Sequence, residues 1–265
     1  MDLQLAGKRA LVTGASRGIG AAVARGLASE GAHVGLLARG RGALEALADG
    51  LRPMGVRVAT VVADTTDDRS VRAAVREVEQ DLGGVDILVN AAATPAGPGG
   101  TVGVTELADD DLRAEVETKV LGYLRTTRAV VPGMQRSGWG RIINVSGLAA
   151  RQTGSTFGSI RNVAVAAMTR NLADELGPSG INVTVVHPAL TVTERTPALV
   201  AGVAAASGIS EAEAAARLSA GVSIGRMVTA DEVAAVIVFL ASSLSIAING
   251  DAVAVGGGAR GAIHY

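Results

Sequence analysis

The feature of this sequence that most constrains its fold is an alternation between short apolar runs and longer segments with helical spacing. In the first ninety residues the apolar runs, each bounded by Gly or Asp, are 10–12, 34–37, 56–62 and 87–89. The helix-like segments between them are 19–29, 43–51 and 70–82. Strands that alternate with helices at this spacing indicate βαβ units and a parallel sheet.

The same alternation continues through the rest of the chain. The helices predicted there are about 109–134, about 162–176 and 231–241, and the strands are 141–145, 181–186 and 252–255. No internal repeat and no long linker interrupts this pattern. Residues 1–265 are therefore predicted to form one α/β domain of Rossmann type, a doubly wound parallel sheet with helices on both faces.

Composition excludes several classes of function. Hydrophobic residues make up 48% of the chain and charged residues 18%, which permits a large core and excludes intrinsic disorder. A net charge of −1 gives no general attraction for nucleic acid or anionic membranes. There is no cysteine, and the three histidines are scattered without an HExxH motif, so we predict no metal site.

The expected location is the cytoplasm. The amino terminus lacks the apolar core of a signal peptide. The longest uncharged apolar stretch, residues 233–248, contains three serines and is shorter than the roughly 18–20 residues of a spanning helix. We therefore expect no association with a membrane.

A glycine-rich loop joins the first predicted strand to the first predicted helix. Glycine there permits a sharp turn and lets the backbone approach a pyrophosphate closely, while the free amides and the positive end of the helix dipole attract the anion. A tight turn without a ligand is the alternative. The candidate binding residues in this loop are Gly14, Ser16, Arg17, Gly18, Ile19 and Gly20.

This loop, with its Gly-x3-Gly-x-Gly spacing, resembles the cofactor loop of the short-chain dehydrogenase/reductase family, and the similarity extends over nearly the whole chain. The resemblance implies that Asp64 contacts adenine and that Thr191 and Thr193 lie in the segment that holds the nicotinamide carboxamide. It also assigns Asn90, in the turn after the fourth strand, to the cofactor site. Ala189 stands where the family usually has glycine.

The charges near the second strand favour NADP(H) over NAD(H). Proteins of this fold that bind NAD have an acidic residue at the end of this strand, and its carboxylate binds the ribose 2′-hydroxyl. Here the strand ends in Ala38-Arg39 and the glycine loop adds Arg17. Two guanidinium groups without a carboxylate favour a 2′-phosphate, although Arg39 as an ordinary solvated charge is the alternative.

The catalytic positions of the family are altered in this chain. The resemblance implies a Tyr-x-x-x-Lys helix, a Ser at the preceding strand end and an Asn in the long fourth helix. Alignment on residues 171–176 puts Gly158 at the Tyr position and Asn162 at the Lys position, and the fourth helix puts Lys119 at the Asn position. We predict that the exchanged Lys119 and Asn162 form a modified proton relay. Drift after a loss of catalysis is the alternative.

Three further residues are weaker candidates for the site. Ser146 lies close to the catalytic Ser position, although Gly147 aligns nearly as well. His187 is a candidate proton donor near neutral pH, while a histidine satisfied by a backbone carbonyl is at least an equal alternative. For Arg161 a surface role is favoured over the binding of an anionic substrate.

The sequence thus predicts an NADPH-dependent reductase of a small carbonyl compound with a non-standard proton relay. The alternatives are a non-redox enzyme of the same fold, such as a lyase or isomerase, and a catalytically silent cofactor-binding subunit. The expected partners are a small-molecule substrate and further copies of the chain, because 112–131 and 163–176 are apolar enough for a homodimer or homotetramer. Residues 191–223 are predicted to form a helical lid over the pocket, with an edge decoration of the sheet as the alternative.

Overall fold

The computed structural model of the chain describes residues 1–93 and 103–259. Its strands are β1 (Arg9–Thr13), β2 (His33–Ala38), β3 (Val58–Val62), β4 (Ile87–Asn90), β5 (Gly140–Val145), β6 (Ile181–Pro188), β7 (Thr191–Val192), β8 (Val228–Thr229) and β9 (Ala252–Val255). Its helices are α1 (Gly18–Ser29), α2 (Arg41–Leu51), α3 (Asp68–Leu82), α4 (Asp109–Glu115), α5 (Gly122–Ser137), α6 (Thr156–Leu176), α7 (Thr196–Ser207), α8 (Glu211–Ser219) and α9 (Ala230–Leu240).

Within the described residues, seven strands form one parallel sheet in the order β3-β2-β1-β4-β5-β6-β9. The predicted Rossmann-type α/β fold is confirmed. Every residue of β4, β5 and β6 is buried, as expected for parallel strands with both faces covered. The strand order reverses between β1 and β4, which opens a crevice at the carboxyl edge of the sheet.

Two apolar layers cover the sheet. On one face Leu27 of α1 and Val238 of α9 belong to a core shared with β1 and β2. On the other face Val78 of α3, Val130 of α5 and Leu176 of α6 pack against the opposite side chains of the same sheet. Each such side chain, once buried, stabilises the fold by about 1.5–3 kcal/mol.

The long predicted helix over 109–134 is divided in the structure. α4 passes into a π-helical turn, Val116–Leu121, which continues directly into α5. In a π-helical turn the hydrogen bonds span one additional residue, and such turns are frequent at functional sites. This turn carries Lys119.

α6 begins at Thr156 rather than near residue 162. Ser155 caps it, since its Oγ accepts a hydrogen bond from the Gly158 N–H at 3.1 Å. The prediction missed this first turn because the stretch contains Gly158 and few strong helix formers. α6 exposes Ile160 and Val163; association into a homodimer or homotetramer stays a prediction.

The segment 191–223 contains β7, α7 and α8. The two helices pack against each other through Val200, Ala204 and Ala214, and β7 pairs with β8 in a separate small sheet. The segment is helical as predicted, and its function as a lid stays a prediction.

A buried polar network ties the sheet to two helices. Thr126 Oγ1 donates to Asn90 Oδ1 at 2.7 Å, Asn90 Nδ2 donates to Asn144 Oδ1 at 2.9 Å, and Asn144 Nδ2 donates to Thr169 Oγ1 at 2.9 Å. All four side chains are fully buried. The Asn90 side chain, predicted to bind the cofactor, is thus held inside the fold, because a buried amide has to satisfy its own donors and acceptors.

We expect Asn90→Ala to lower the free energy of unfolding by about 1–3 kcal/mol, because it leaves buried partners without hydrogen bonds. The control is Asn171→Ala, which removes an exposed amide bonded to the Ala167 carbonyl of its own helix and should change stability by less than about 0.5 kcal/mol. Urea unfolding measures both variants. Equal stability of the two would contradict a structural role for the network.

Candidate active site

The first part of the site is a cavity of about 400 Å³ at the carboxyl ends of β1, β2 and β3. The predicted cofactor residues that line it are Gly14, Ser16, Arg17, Arg39 and Asp64. Arg17 and Arg39 therefore face the same cavity, and Ala38 at the end of β2 brings no carboxylate. The wall is suited to a phosphate group.

Asp64 is the acidic residue in the described part of this cavity wall. Its Oδ1 accepts hydrogen bonds from the Thr66 N–H and the Thr66 hydroxyl, both at 2.9 Å. These bonds, with a smaller contribution from the charge of Arg39, lower the pKa of Asp64. The carboxylate is therefore ionised and held in place at neutral pH.

Glycine is required in the loop by close backbone contacts. A Cβ on Gly14 would lie 2.8 Å from the Ala91 carbonyl oxygen, and one on Gly20 would lie 2.3 Å from the carbonyl oxygen of Gly14. The loop is joined to the end of β4, since Thr13 Oγ1 accepts hydrogen bonds from the N–H groups of Ala91 and Ala92 at 3.1 and 3.2 Å. The backbone is thus packed too tightly for side chains and leads into the first turn of α1.

The second part is a cavity of about 540 Å³ between the glycine loop, the π-helical turn and the start of α6. It shares Arg17, Ala91 and Ala93 with the first cavity, so the two form one crevice. The predicted site residues in its wall are Gly18, Ile19, Gly20, Lys119, Ser146, Asn162, Thr191 and Thr193. A crevice at the switch point, helix amides and two guanidinium groups together fit a phosphorylated dinucleotide.

Lys119 and Asn162 are in direct contact in this second cavity. Lys119 Nζ donates to the Ser146 carbonyl at 2.8 Å and to Asn162 Oδ1 at 3.1 Å. The lysine is only 5% exposed, and burial lowers the pKa of Lys119 to about 8. The lysine and the amide predicted to belong to one proton relay are therefore in contact, and the relay itself stays a prediction.

Ser146 is also turned toward α6. Its hydroxyl donates to the Asn162 carbonyl at 3.1 Å. The neighbouring Gly147 has no space for a side chain, because a Cβ there would lie 2.9 Å from Asn162 Nδ2. The loop that follows β5 thus packs closely against Asn162 in the second turn of α6.

His187 lies at the end of β6, 1% exposed, and is not part of either cavity wall. Burial, assisted by the positive charges of Arg151 and Lys119, lowers the pKa of His187 to about 4. Its Nδ1 has no hydrogen-bond partner among residues 1–93 and 103–259. The predicted role as a proton donor near neutral pH does not fit these surroundings, because the imidazolium form is absent there.

The two tyrosines of the chain are Tyr123 and Tyr265. The Tyr123 hydroxyl donates to the Val145 carbonyl at 2.9 Å, and complete burial raises the pKa of Tyr123 well above its usual range. Tyr265 lies outside the described residues. Gly158 is the residue that the sequence alignment puts at the Tyr position of the family. A Cβ there would lie 2.7 Å from Ser155 Oγ, the atom that caps α6.

Several residues of the crevice were missed in the sequence or interpreted differently. Glu194 accepts a hydrogen bond from the Gly18 N–H at 3.1 Å, at the amide end of α1, and Gln152 lines the second cavity. Arg161, for which a surface role was favoured, lines that cavity with only 12% of its side chain exposed and is paired with Glu115. No sequence motif marks such contacts, because they join distant segments.

In the part of the chain that the structure describes, there is no group of three or more His, Asp or Glu side chains that could hold a metal ion. Over the same residues no single helix has the length and hydropathy of a membrane span; α7 and α8 satisfy both only when taken together, and they are bent by 105°.

The sequence of the chain matches the family of the short chain dehydrogenases over residues 8–204, and the protein therefore belongs to that family. Among curated proteins it is similar to the 3-oxoacyl-(acyl-carrier-protein) reductase FabG of Pseudomonas aeruginosa, with 35% identity over 97% of this chain and 98% of the relative.

Two solved structures show the same architecture. One is L-sorbose reductase from Gluconobacter frateurii in complex with NADPH and L-sorbose, with a TM-score of 0.92, 31% identity and coverage of 99% of this chain and 100% of that one. The other is an actinorhodin polyketide ketoreductase variant with NADPH, with a TM-score of 0.87, 34% identity and coverage of 95% and 96%.

The position of Glu194 leads to a prediction on nucleotide affinity. A carboxylate bonded to the Gly18 amide competes with an incoming pyrophosphate, so Glu194→Gln should tighten NADPH binding about two- to fivefold. Titration of NADPH fluorescence measures the Kd. Glu211→Gln, which removes an exposed carboxylate from α8, is the matched control and should leave the Kd unchanged. An unaltered Kd in the Glu194 variant would refute the competition.

Proposed function

We propose that this protein is an NADPH-dependent reductase of a small carbonyl compound in which Lys119 supplies the proton. The observation that carries the proposal is the buried contact between Lys119 Nζ and Asn162 Oδ1, 3.1 Å, in the wall of the cavity next to the glycine loop. The reductase activities named for the relatives, on ketoacyl or sugar substrates, support the reaction class.

NADP(H) is the cofactor. Two structures similar to this protein contain NADPH, and the two arginines of the first cavity favour a phosphorylated cofactor. Arg17 and Arg39 would bind the 2′-phosphate, Asp64 the adenine, and the amides at the start of α1 the pyrophosphate. Thr191 and Thr193 line the second cavity, where they would hold the carboxamide.

The cofactor, when bound, supplies a hydride to the carbonyl carbon. Lys119 supplies the matching proton to the carbonyl oxygen, so that the product is an alcohol and the lysine becomes a neutral amine. An ammonium has a third N–H beyond the two that bond to Ser146 and Asn162, and this group is available to the substrate oxygen in the cavity.

Burial makes Lys119 suitable for this role. A general acid works best when its pKa lies near the operating pH, and the pKa of Lys119 is lowered to about 8 because the charged form loses hydration. The Asn162 oxygen and the Ser146 carbonyl both accept hydrogen bonds from the ammonium. They orient the side chain and keep the protonated form accessible at neutral pH.

Lys119→Met should lower turnover by about 10²- to 10⁴-fold while the Kd for NADPH changes little, because the general acid is lost and the nucleotide site is not. Steady-state rates with a panel of ketones, imines and quinones, together with NADPH titration, measure the two effects. The chain contains one other lysine, Lys8, which lies over the Trp139 ring. Lys8→Met is the matched control and should retain activity.

The possible results of that experiment separate the alternatives. Unchanged turnover in Lys119→Met would exclude the lysine as the acid. A wild-type protein that binds NADPH but reduces no compound of the panel would be a silent cofactor-binding subunit. A wild-type protein that binds no NADPH would point to a non-redox enzyme of the same fold.

The pH dependence of kcat/KM gives an independent test. Reduction requires the protonated lysine, so the rate should be constant below about pH 8 and fall about tenfold per pH unit above it. Oxidation of the alcohol requires the neutral amine and should show the opposite slope. Lys119→Arg should remove the alkaline limb, because arginine stays protonated throughout this range. If the rate of the Lys119→Arg variant still falls above pH 8, a group other than Lys119 causes the decrease.

A further inference from the structure

Arg161 is a charged residue in the wall of the second cavity to which the proposed reaction gives no role. It precedes Asn162 on α6, and its side chain, 12% exposed, forms part of the same wall as Lys119 and Asn162. A long cation on a helix ordinarily extends into water and keeps its charge hydrated. The Arg161 side chain instead lies in the cavity wall and is paired with Glu115.

The hydrogen bonds of this guanidinium are incomplete. Nη1 donates to the carboxylate of Glu115, at the end of α4. Nε is buried and, within the residues that the structure describes, has no acceptor. Burial lowers the pKa of Arg161, yet an arginine remains charged in proteins and retains several N–H donors beyond one ion pair. Because solvent does not reach Nε, a further acceptor in the cavity has to pair with the terminal N–H groups of this partly exposed side chain.

The described wall of the second cavity carries four cations, Arg17, Lys119, Arg161 and Arg195, and one carboxylate. At the end near α6 the charged side chains are Lys119 and Arg161, both positive. The carboxylate in the described part of the wall is Glu194, which is bonded to Gly18 at the other end. Glu115 stands outside the wall. The substrate end is therefore electropositive.

We infer that Arg161 binds a carboxylate of the substrate, and that the carbonyl compounds reduced by this protein are short-chain oxo acids. The inference rests on the proposed function. A planar guanidinium matches a carboxylate with paired hydrogen bonds. Asn162, the next residue, contacts Lys119, so an acid held by Arg161 has its carbonyl group close to the proposed proton donor.

Glu115 has a separate role in this arrangement. It holds the guanidinium against α4 and offsets part of its charge. A substrate carboxylate therefore shares Arg161 with Glu115. Loss of Glu115 should strengthen the attraction for an anion, whereas loss of Arg161 should remove it. An ion pair with only a structural role would show the same effect on removal of either partner.

The test compares short-chain 2-oxo and 3-oxo acids with their methyl esters. Ligand-observed NMR on the protein with NADP⁺ measures binding, and NADPH oxidation measures kcat/KM. For the best acid, wild type should favour the acid over its ester about 10- to 100-fold. Arg161→Gln should bring this ratio close to one, and Glu115→Gln should keep or raise it. Arg170→Gln, which removes an exposed guanidinium from α6, is the matched control.

The inference is overturned if wild type favours no acid over its ester, or if the Arg161 and Glu115 variants lower the ratio equally. Binding and turnover separate its failure from that of the proposed function. Acids that bind through Arg161 without any NADPH oxidation would contradict the reductase and support the carboxylate site. Esters reduced as well as acids would support the reductase and contradict the carboxylate site.

Discussion

Burial of the Lys119 ammonium is the constraint that orders this site. A charge removed from water has to be hydrogen bonded, and Lys119 meets this need with one backbone carbonyl of the β5 end and one amide oxygen of α6. Both acceptors are themselves fixed. Ser146 bonds to α6 through its hydroxyl, and Asn162 packs against Gly147 where no Cβ fits. The lysine, the loop after β5 and the start of α6 consequently form one unit.

Electrostatics divides the crevice into regions of different chemistry. Arginines line the cavity near β2, helix amides with Glu194 lie at the middle, and Lys119 with Arg161 lies near α6. Each region suits a different part of a cofactor and substrate pair. The Arg161–Glu115 ion pair places a further charged group in the wall at the α6 end.

Sequence reasoning was most successful where a local pattern has one physical meaning. Alternating strands and helices imply a parallel sheet, and glycines between β1 and α1 imply a close backbone approach; both features are present. It was less successful for polar side chains. Asn90 belongs to a buried network, His187 is neutral and outside the cavity walls, and Arg161 is only 12% exposed and paired with Glu115. The direction of such a side chain depends on partners far away in the chain.

The sequence by itself determined the fold class, the glycine loop between β1 and α1, and the presence of Arg17 in that loop and Arg39 after β2. These features follow from residue type and spacing, because they depend on residues that are close together in the sequence. The exchange of a lysine and an asparagine between two helices stays a prediction. Tertiary structure alone decided that Lys119 touches Asn162, that Glu194 covers the Gly18 amide and that Arg161 pairs with Glu115. Such contacts arise where helices and loops converge, and desolvation there sets the pKa of each group.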